Sequence, residues 1–304
     1  MENILVIRHG ALGDLIIVTG RILQLKEMYP NARFTMMTSS PFVGLVKQFD
    51  MFSEIIVDDR KSPLHIGDAC RIIRAILAGK FSKVFDFQDK RRTRTYRSIL
   101  RWLMPKGEMD WYTVRGKSYH ISKTSALRCA KEEQADWTLP QRVTDLTFMH
   151  GKEEHFHLLP ERYVLLIPGC SPQHSYKRWP VESYREIVRR LASIGIQAVI
   201  IGTESERAEC DAICKDLPTA VNMVGLTQMA DIPQVAHRAL AVLGNDTGPT
   251  HMASFSRVHT IAVFDKRNSR SVMHAPDVSN FVSEDSVSSI TPDVVWNCLK
   301  DKLR

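Results

Sequence analysis

"NILVIRHGALGDLIIVTG", residues 3–20, runs from an unbroken apolar stretch through two glycines into an apolar segment of helical period. A strand apolar along its whole length is buried on both faces, and a helix a few residues later makes it the opening of a βα unit. The helix is expected from about Asp14 to Met28, with Asp14 as a candidate N-cap. The pattern repeats: "RFTMMT" (33–38) precedes a helix around 42–49, "EIIVD" (54–58) one around 67–79, and "KVFDF" (83–87) one around 91–103. A second series begins at "YVLLIP" (163–168), with a helix over 181–194, "QAVIIG" (197–202), a helix over 205–216 and "AVN" (220–222). It continues with a helix around 229–238, "ALAVLG" (239–244), a short helix after Gly248, and "HTIAVF" (259–264). Parallel strands need helical crossovers, so the class is α/β with two doubly wound, Rossmann-like parallel sheets in tandem.

At 304 residues the chain has room for two domains of about 150 residues each. Residues 105–160 are less regular, and the linker is expected near 150–161, giving domains 1–155 and 156–304. The last helix, about 292–303, is left free to pack on either. Apolar residues make up 44% and charged residues 25%, ordinary values for a globular protein, with no run long enough for a membrane-spanning helix. The start "MENILVIRHG" lacks a basic segment, a long apolar run and a cleavage site, so the protein is expected in the cytoplasm. The six cysteines are scattered without metal-knuckle spacing, so reduced thiols and no metal are expected. Residues 1–150 hold 24 Lys/Arg against 16 Asp/Glu, net +8, and residues 151–304 hold 17 against 18, net −1. A basic first domain points to an anionic partner. A nucleic-acid module would explain that charge but not the phosphate-type loops of the second half.

In doubly wound sheets ligands bind beyond the carboxyl ends of the strands, so the loops after strands carry the candidates. The first, "GALGD", lacks the GxGxxG spacing and downstream acidic residue of a dinucleotide oxidoreductase. Its Gly10 and Gly13 allow a tight strand-to-helix turn, and Asp14 offers a carboxylate suited to general-base work. In "LLIPGCSPQHSYKRWP" (165–180), Gly169, Cys170 and Ser171 offer backbone N–H groups and a hydroxyl, and Lys177 or Arg178 a fixed positive charge. "LGNDTGPTHMASF" (243–255) places Asp246, Thr247, Gly248 and His251 where a strand exits into a helix, a cradle suited to a pyrophosphate. "IIGTESERAEC" (200–210) puts Glu204 and Glu206 in a first helical turn, either able to bind ribose hydroxyls. The run "QDKRRTRTYRSILRWLMPK" (88–106) carries Lys90, Arg91, Arg92, Arg94, Arg97, Arg101 and Lys106 against one acid, Asp89. With Arg60 and Lys61 after the third strand, it reads as an anion-docking surface.

In order and spacing, "ILVIRHGALGDLIIVTG", "PGCSPQHSYKRWP", "IIGTESE" and "LGNDTGPTHMA" resemble the family 9 glycosyltransferases, best known as ADP-heptose:lipopolysaccharide heptosyltransferases. The resemblance implies a GT-B fold, two Rossmann-like domains facing a cleft, with acceptor on the first and nucleotide sugar on the second. It implies inverting, metal-independent transfer of a heptose-type sugar to a lipopolysaccharide core, at the cytoplasmic face of the inner membrane. Carried over by motif, Asp14 is the catalytic base. The donor residues are Cys170, Ser171, Lys177, Glu206, Asp246, Thr247, Gly248 and His251. Gly13, Arg60, Lys61, Lys90, Arg91 and Arg94 face the anionic acceptor. No cofactor is implied, the nucleotide sugar being a substrate, and nucleic acid is no partner. The segment after the last strand, "VFDKRNSRS" (263–271), departs from the family pattern and leaves the donor sugar open.

Overall fold

The computed structural model describes residues 1–59, 66–105, 108–113, 146–149, 151, 153–271, 273 and 275–303. The chain divides into two compact units, Met1–Arg142 and Val143–Arg304.

The first unit runs β1 (Asn3–Ile7), α1 (Leu12–Met28), β2 (Arg33–Thr38), α2 (Val43–Val46), β3 (Glu54–Val57), α3 (Ile66–Ala78), β4 (Lys83–Asp86), α4 (Arg91–Leu103) and β5 (Asp110–Thr113). All pairings are parallel, in the order β3-β2-β1-β4-β5. Ile4, Leu5, Val6 and Ile7 of β1 are wholly buried, as a central strand covered by helices on both faces requires. β5, "DWYT", lies in the stretch read as irregular. Its residues are mostly half-buried, as at a sheet edge, and polar enough to hide the strand pattern. The Tyr112 ring stacks on Phe85 at 4.9 Å.

The second unit runs β6 (Tyr163–Ile167), α5 (Val181–Ser193), β7 (Gln197–Ile200), α6 (Arg207–Cys214), β8 (Ala220–Asn222), α7 (Ile232–His237), β9 (Ala241–Asn245), α8 (Gly248–Ser254), β10 (Thr260–Phe264), β11 (Val278–Val282) and α9 (Pro292–Lys300). Its parallel sheet is ordered β11-β10-β9-β6-β7-β8. Counted from β6, that is the 3-2-1-4-5-6 order of nucleotide-binding folds. β11, "VSNFV", escapes sequence reading because this edge strand is only partly buried and breaks its apolar pattern with Ser and Asn. On α5, Tyr184, Ile187, Val188 and Leu191 follow i, i+3, i+4, i+7 and are buried, each contributing about 2 kcal/mol. Val295 and Leu299 of α9 join them in one core.

Strand order reverses between β1 and β4 in the first sheet, and between β6 and β9 in the second. A crevice forms where neighbouring connections leave in opposite directions. The loops at these two points are "HGA" with "QDK", and "PGCSPQHSYKRWP" with "DTG".

Candidate active site

In the first unit, α1 begins at Leu12 with Ala11 as N-cap, and no side chain caps it. Asp14 therefore stands in the first turn, two residues inside the helix start, because the Leu15 N–H already reaches the Ala11 carbonyl at 3.0 Å. Its carboxylate complements the helix N-terminus rather than capping it. Asp14 is partly exposed and ion-paired with Arg8, itself buried at the exit of β1. Arg8 is anchored by donating Nη1 to the Phe87 carbonyl at 2.5 Å beyond β4. Sequence reading missed Arg8; the available signal was a lone arginine at the end of a fully apolar strand, which must be paired when buried. Gly10 has φ +131, and a Cβ there would stand 2.5 Å from the Phe42 ring, so only glycine carries the chain through this turn. Gly13 lies half-buried in the first turn of α1 beside Asp14.

A buried cluster braces this turn. Asp58, 1% exposed after β3, accepts from Arg92 Nη2 (2.8 Å) and Nε (3.1 Å), from Tyr96 Oη (3.0 Å), and faces His9 Nε2 (3.0 Å). The His9 carbonyl accepts from Ser39 Oγ at 2.6 Å, and its N–H donates to Gln88 Oε1 at 3.1 Å. Four strand exits are thus tied together around the residues preceding Asp14. Arg92, grouped by sequence with the anion-docking run, is drawn inward by Asp58. Arg97 donates to Thr113 Oγ1 at 3.1 Å. Lys90 and Arg91 are exposed at the start of α4, while Arg94 forms a two-pronged ion pair with Asp89, at 2.8 and 2.9 Å. Arg60, Lys61 and Lys106 lie outside the described residues.

In the second unit the residues after β6, β7, β9 and β10 converge. Asn245, fully buried at the end of β9, accepts from Trp179 N (3.1 Å) and Tyr184 Oη (3.0 Å) and donates Nδ2 to the Pro168 carbonyl. Trp179 is also buried, donates Nε1 to the Ile290 carbonyl at 2.7 Å, and meets Tyr184 edge-on at 5.0 Å. This locks the far end of the loop 168–180, so that Lys177 is held against the loop after β9.

Lys177 Nζ lies 2.8 Å from Asp246 Oδ2 and donates to the Asp246 carbonyl at 3.3 Å. Asn268 Nδ2 donates to the same carboxylate at 2.9 Å, and His251 Nε2 is 3.5 Å from its other oxygen. Burial alone pushes the Asp246 carboxyl up; His251 and Lys177 outweigh it and hold the group below the usual carboxylate range. Asp246 is therefore an anion that holds three nitrogen groups, those of Lys177, Asn268 and His251, and a phosphate would meet these groups rather than its carboxylate. Lys177 has three N–H groups, two of which this arrangement uses. Arg178 turns the other way: Nη2 donates to the Cys170 carbonyl at 3.1 Å and Nη1 pairs with Glu209 at 3.2 Å. The two adjacent cations are thereby distinguished, and Lys177 is the one held against the loop after β9.

Glu206 folds back over the strand ends. A Cβ on Gly169 would stand 2.0 Å from its Oε1, and one on Gly202 3.2 Å from its Oε2. Glu206 Oε2 accepts from Thr203 N (2.7 Å) and Oγ1 (2.9 Å), which sets the carboxylate's orientation. Glu204 instead pairs outward with Arg207 at 2.5 and 2.7 Å. Geometry thus distinguishes the two glutamates, between which the family resemblance alone chooses. Cys170 is buried, and burial raises its thiol above the usual range despite Arg178 alongside. Ser171 is exposed with its hydroxyl on Gln173. Thr247 and Gly248 open α8, with Thr247 Oγ1 3.1 Å from Thr250 Oγ1.

In the segment 263–271, the residues after β10 reach the same cluster. Arg267 pairs with Asp265 at 2.6 and 3.0 Å and lies 3.8 Å over the Tyr176 ring. Asn268, missed as a site residue, reaches Asp246 from this segment, whose only sequence signal was its departure from the family pattern. Among the described residues, no group of three His, Cys, Asp or Glu is arranged to hold a metal ion. No described helix is long and apolar enough to cross a membrane.

The two sheets and the loops at their reversal points define a two-domain α/β protein of the GT-B type. A model of glycosyltransferase family 9 (heptosyltransferase) matches residues 114–284, more than half of the chain, and the chain belongs to that family. Among solved structures, a family 9 glycosyltransferase of Veillonella parvula matches at TM-score 0.75 and 17% identity, covering 99% of this chain and 97% of that one. E. coli heptosyltransferase WaaC with ADP matches at TM-score 0.75 and 14% identity, covering 99% of both chains. E. coli ADP-heptose lps heptosyltransferase II matches at TM-score 0.70 and 20% identity, over 100% of this chain and 98% of that one. At these identities the likeness is one of fold. No curated protein sequence matches the chain.

Proposed function

We propose that this glycosyltransferase moves a heptose-type sugar from ADP-heptose to the core of a lipopolysaccharide acceptor, with inversion and without a metal. The observation that carries the donor side is the Lys177–Asp246–His251 cluster beside the β6 and β9 ends, with the Glu206 carboxylate set over Gly169. Lys177 and His251 meet the diphosphate, the backbone at Thr247 and Gly248 with Ser171 contacts its oxygens, and Glu206 takes the ribose hydroxyls. A fixed lysine charge next to a departing diphosphate supplies charge stabilisation of the kind that other transferases draw from a metal. The E. coli WaaC structures with ADP and with ADP-2-deoxy-2-fluoro heptose support this choice of donor.

On the acceptor side, Asp14 removes the proton of the attacking hydroxyl, and Arg8 orients its carboxylate, the arrangement of a base held by a third group. The hydroxyl oxygen bonds to the anomeric carbon as the bond to the diphosphate breaks, and ADP leaves with that electron pair. One displacement inverts the centre. Gly13 leaves room beside the base, and Lys90, Arg91 and Arg94, with Arg60 and Lys61, meet the phosphates and carboxylates of the acceptor. The setting is the cytoplasmic face of the inner membrane.

The reading is tested by thermal shift of purified protein against ADP-, UDP- and GDP-sugars, since a ligand of the native state raises the melting temperature. Stabilisation by ADP-heptose above the others is expected; preference for a UDP- or GDP-sugar contradicts it.

A further inference from the structure

We infer that the outer face of α4 is a docking surface for an anionic lipid bilayer, with Trp102 as its inserted anchor. Thr93, Tyr96 and Leu100 form the buried face of α4, 0–2% exposed. At 100° per residue the opposite face is centred on Arg91, Ser98 and Trp102. Arg94 and Arg101 lie on one side of that line, and Ile99 and Leu103 on the other. Trp102 is 85% exposed, Leu103 46% and Ile99 37%. These are adjacent apolar positions, i, i+3 and i+4, held outward by a helix whose other face is fixed in the core.

The helix has five arginines and no acidic residue in thirteen positions. Arg92 and Arg97 are engaged by Asp58 and Thr113, and Arg94 by Asp89, whereas Arg91 and Arg101 make no ion pair among the described residues. The face therefore presents an indole with aliphatic flanks on one side and guanidinium groups on the other. An indole prefers the boundary between headgroups and acyl chains, and arginines beside it match anionic headgroups. A second copy of the chain packed antiparallel on this face would set the same arginines against each other. A single-stranded nucleic acid would use the indole for stacking but has no counterpart for Ile99 and Leu103. Charge complementarity and the aliphatic flank together favour lipid. The inference rests on the proposed function in its membrane setting and in sharing Arg91 and Arg94 with the anionic acceptor; Trp102, Arg101, Ile99 and Leu103 are the part of the face that serves lipid alone.

The test is co-sedimentation of the full-length protein with vesicles of phosphatidylcholine alone and of phosphatidylcholine mixed with phosphatidylglycerol. Binding is expected to the mixed vesicles, weakening as salt rises. Trp102→Ser should lower the partition coefficient roughly tenfold and Arg101→Ser about fivefold. ADP affinity by calorimetry should be unchanged in both variants, which checks the fold and separates docking from the donor reading. Equal binding to neutral vesicles, or wild-type partitioning of both variants, overturns the inference. So does a concentration-dependent dimer that Trp102→Ser dissolves, or tighter retention by a single-stranded oligonucleotide than by the mixed vesicles.

Discussion

Replacing Lys177 with alanine separates two consequences of one ion pair. In the folded protein the Asp246 carboxylate is 5% exposed, with Lys177 Nζ at 2.8 Å. Removing one partner of a fully buried pair costs about 3–5 kcal/mol. Lys177 retains 19% exposure, and Asn268 and His251 still face the carboxylate, so about 2–3 kcal/mol is expected here. In a domain of this size that lowers Tm by roughly 5–10 °C. Asp246 titrates below the ordinary carboxylate range when folded, so the pair's stabilisation is complete above the unfolded carboxyl's pKa. It is lost as pH falls through the lower folded value. The gap between wild type and variant should therefore be constant near neutrality and narrow below about pH 4. Independently, loss of a charged donor to the diphosphate should weaken ADP by about 1.5–3 kcal/mol, roughly ten- to 150-fold in Kd. Calorimetric unfolding reads the first effect and ADP titration at low temperature the second. Lys177→Arg keeps the charge and should recover most of the stability. An ADP affinity within twofold of wild type in a folded Lys177→Ala protein would refute the phosphate role, whatever the change in Tm.

Gly169→Ala drives a methyl to within 2.0 Å of Glu206 Oε1, and the flexible carboxylate must move. Stability should change by less than about 1 kcal/mol, because only a side-chain end is displaced, while ADP affinity falls severalfold in titration. Asp58→Asn removes the charge that gathers His9, Arg92 and Tyr96 and should destabilise the first domain by about 3–5 kcal/mol, read by calorimetry. ADP affinity should be untouched, since the proposed nucleotide site is on the other domain. Arg8→Ala leaves Asp14 present but unoriented; kcat should fall with ADP affinity unchanged.

Periodicity carried the fold where strands are central and helices amphipathic: β1, β6 and α5 stand where the sequence places them. It lost β5 and β11, which lie at sheet edges with one side in solvent and a mixed composition. Motif spacing singles out Lys177, Glu206 and the Asp246 loop, but not their relations. That Asp246 restrains Lys177, that Arg178 turns to Glu209, and that Asn268 arrives from a separate segment are consequences of where loops fold. No local pattern encodes them. The start of α1 was misplaced because Asp14 is a good capping residue type and Ala11 a poor one. The tight turn at Gly10 nevertheless begins the helix at Leu12. The basic run around α4 was visible as charge, yet its division into inward, paired and outward arginines required Asp58 and Asp89 in place.

The division of labour between Asp14 and the nucleotide site is tested most directly by Asp14→Asn, assayed for sugar transfer from ADP-heptose to a heptose-deficient lipopolysaccharide with ADP titrated in parallel. Loss of a general base should reduce kcat by about 10²–10⁴-fold, while ADP Kd stays within twofold of wild type. Turnover within tenfold of wild type would contradict the assignment of Asp14 as the base.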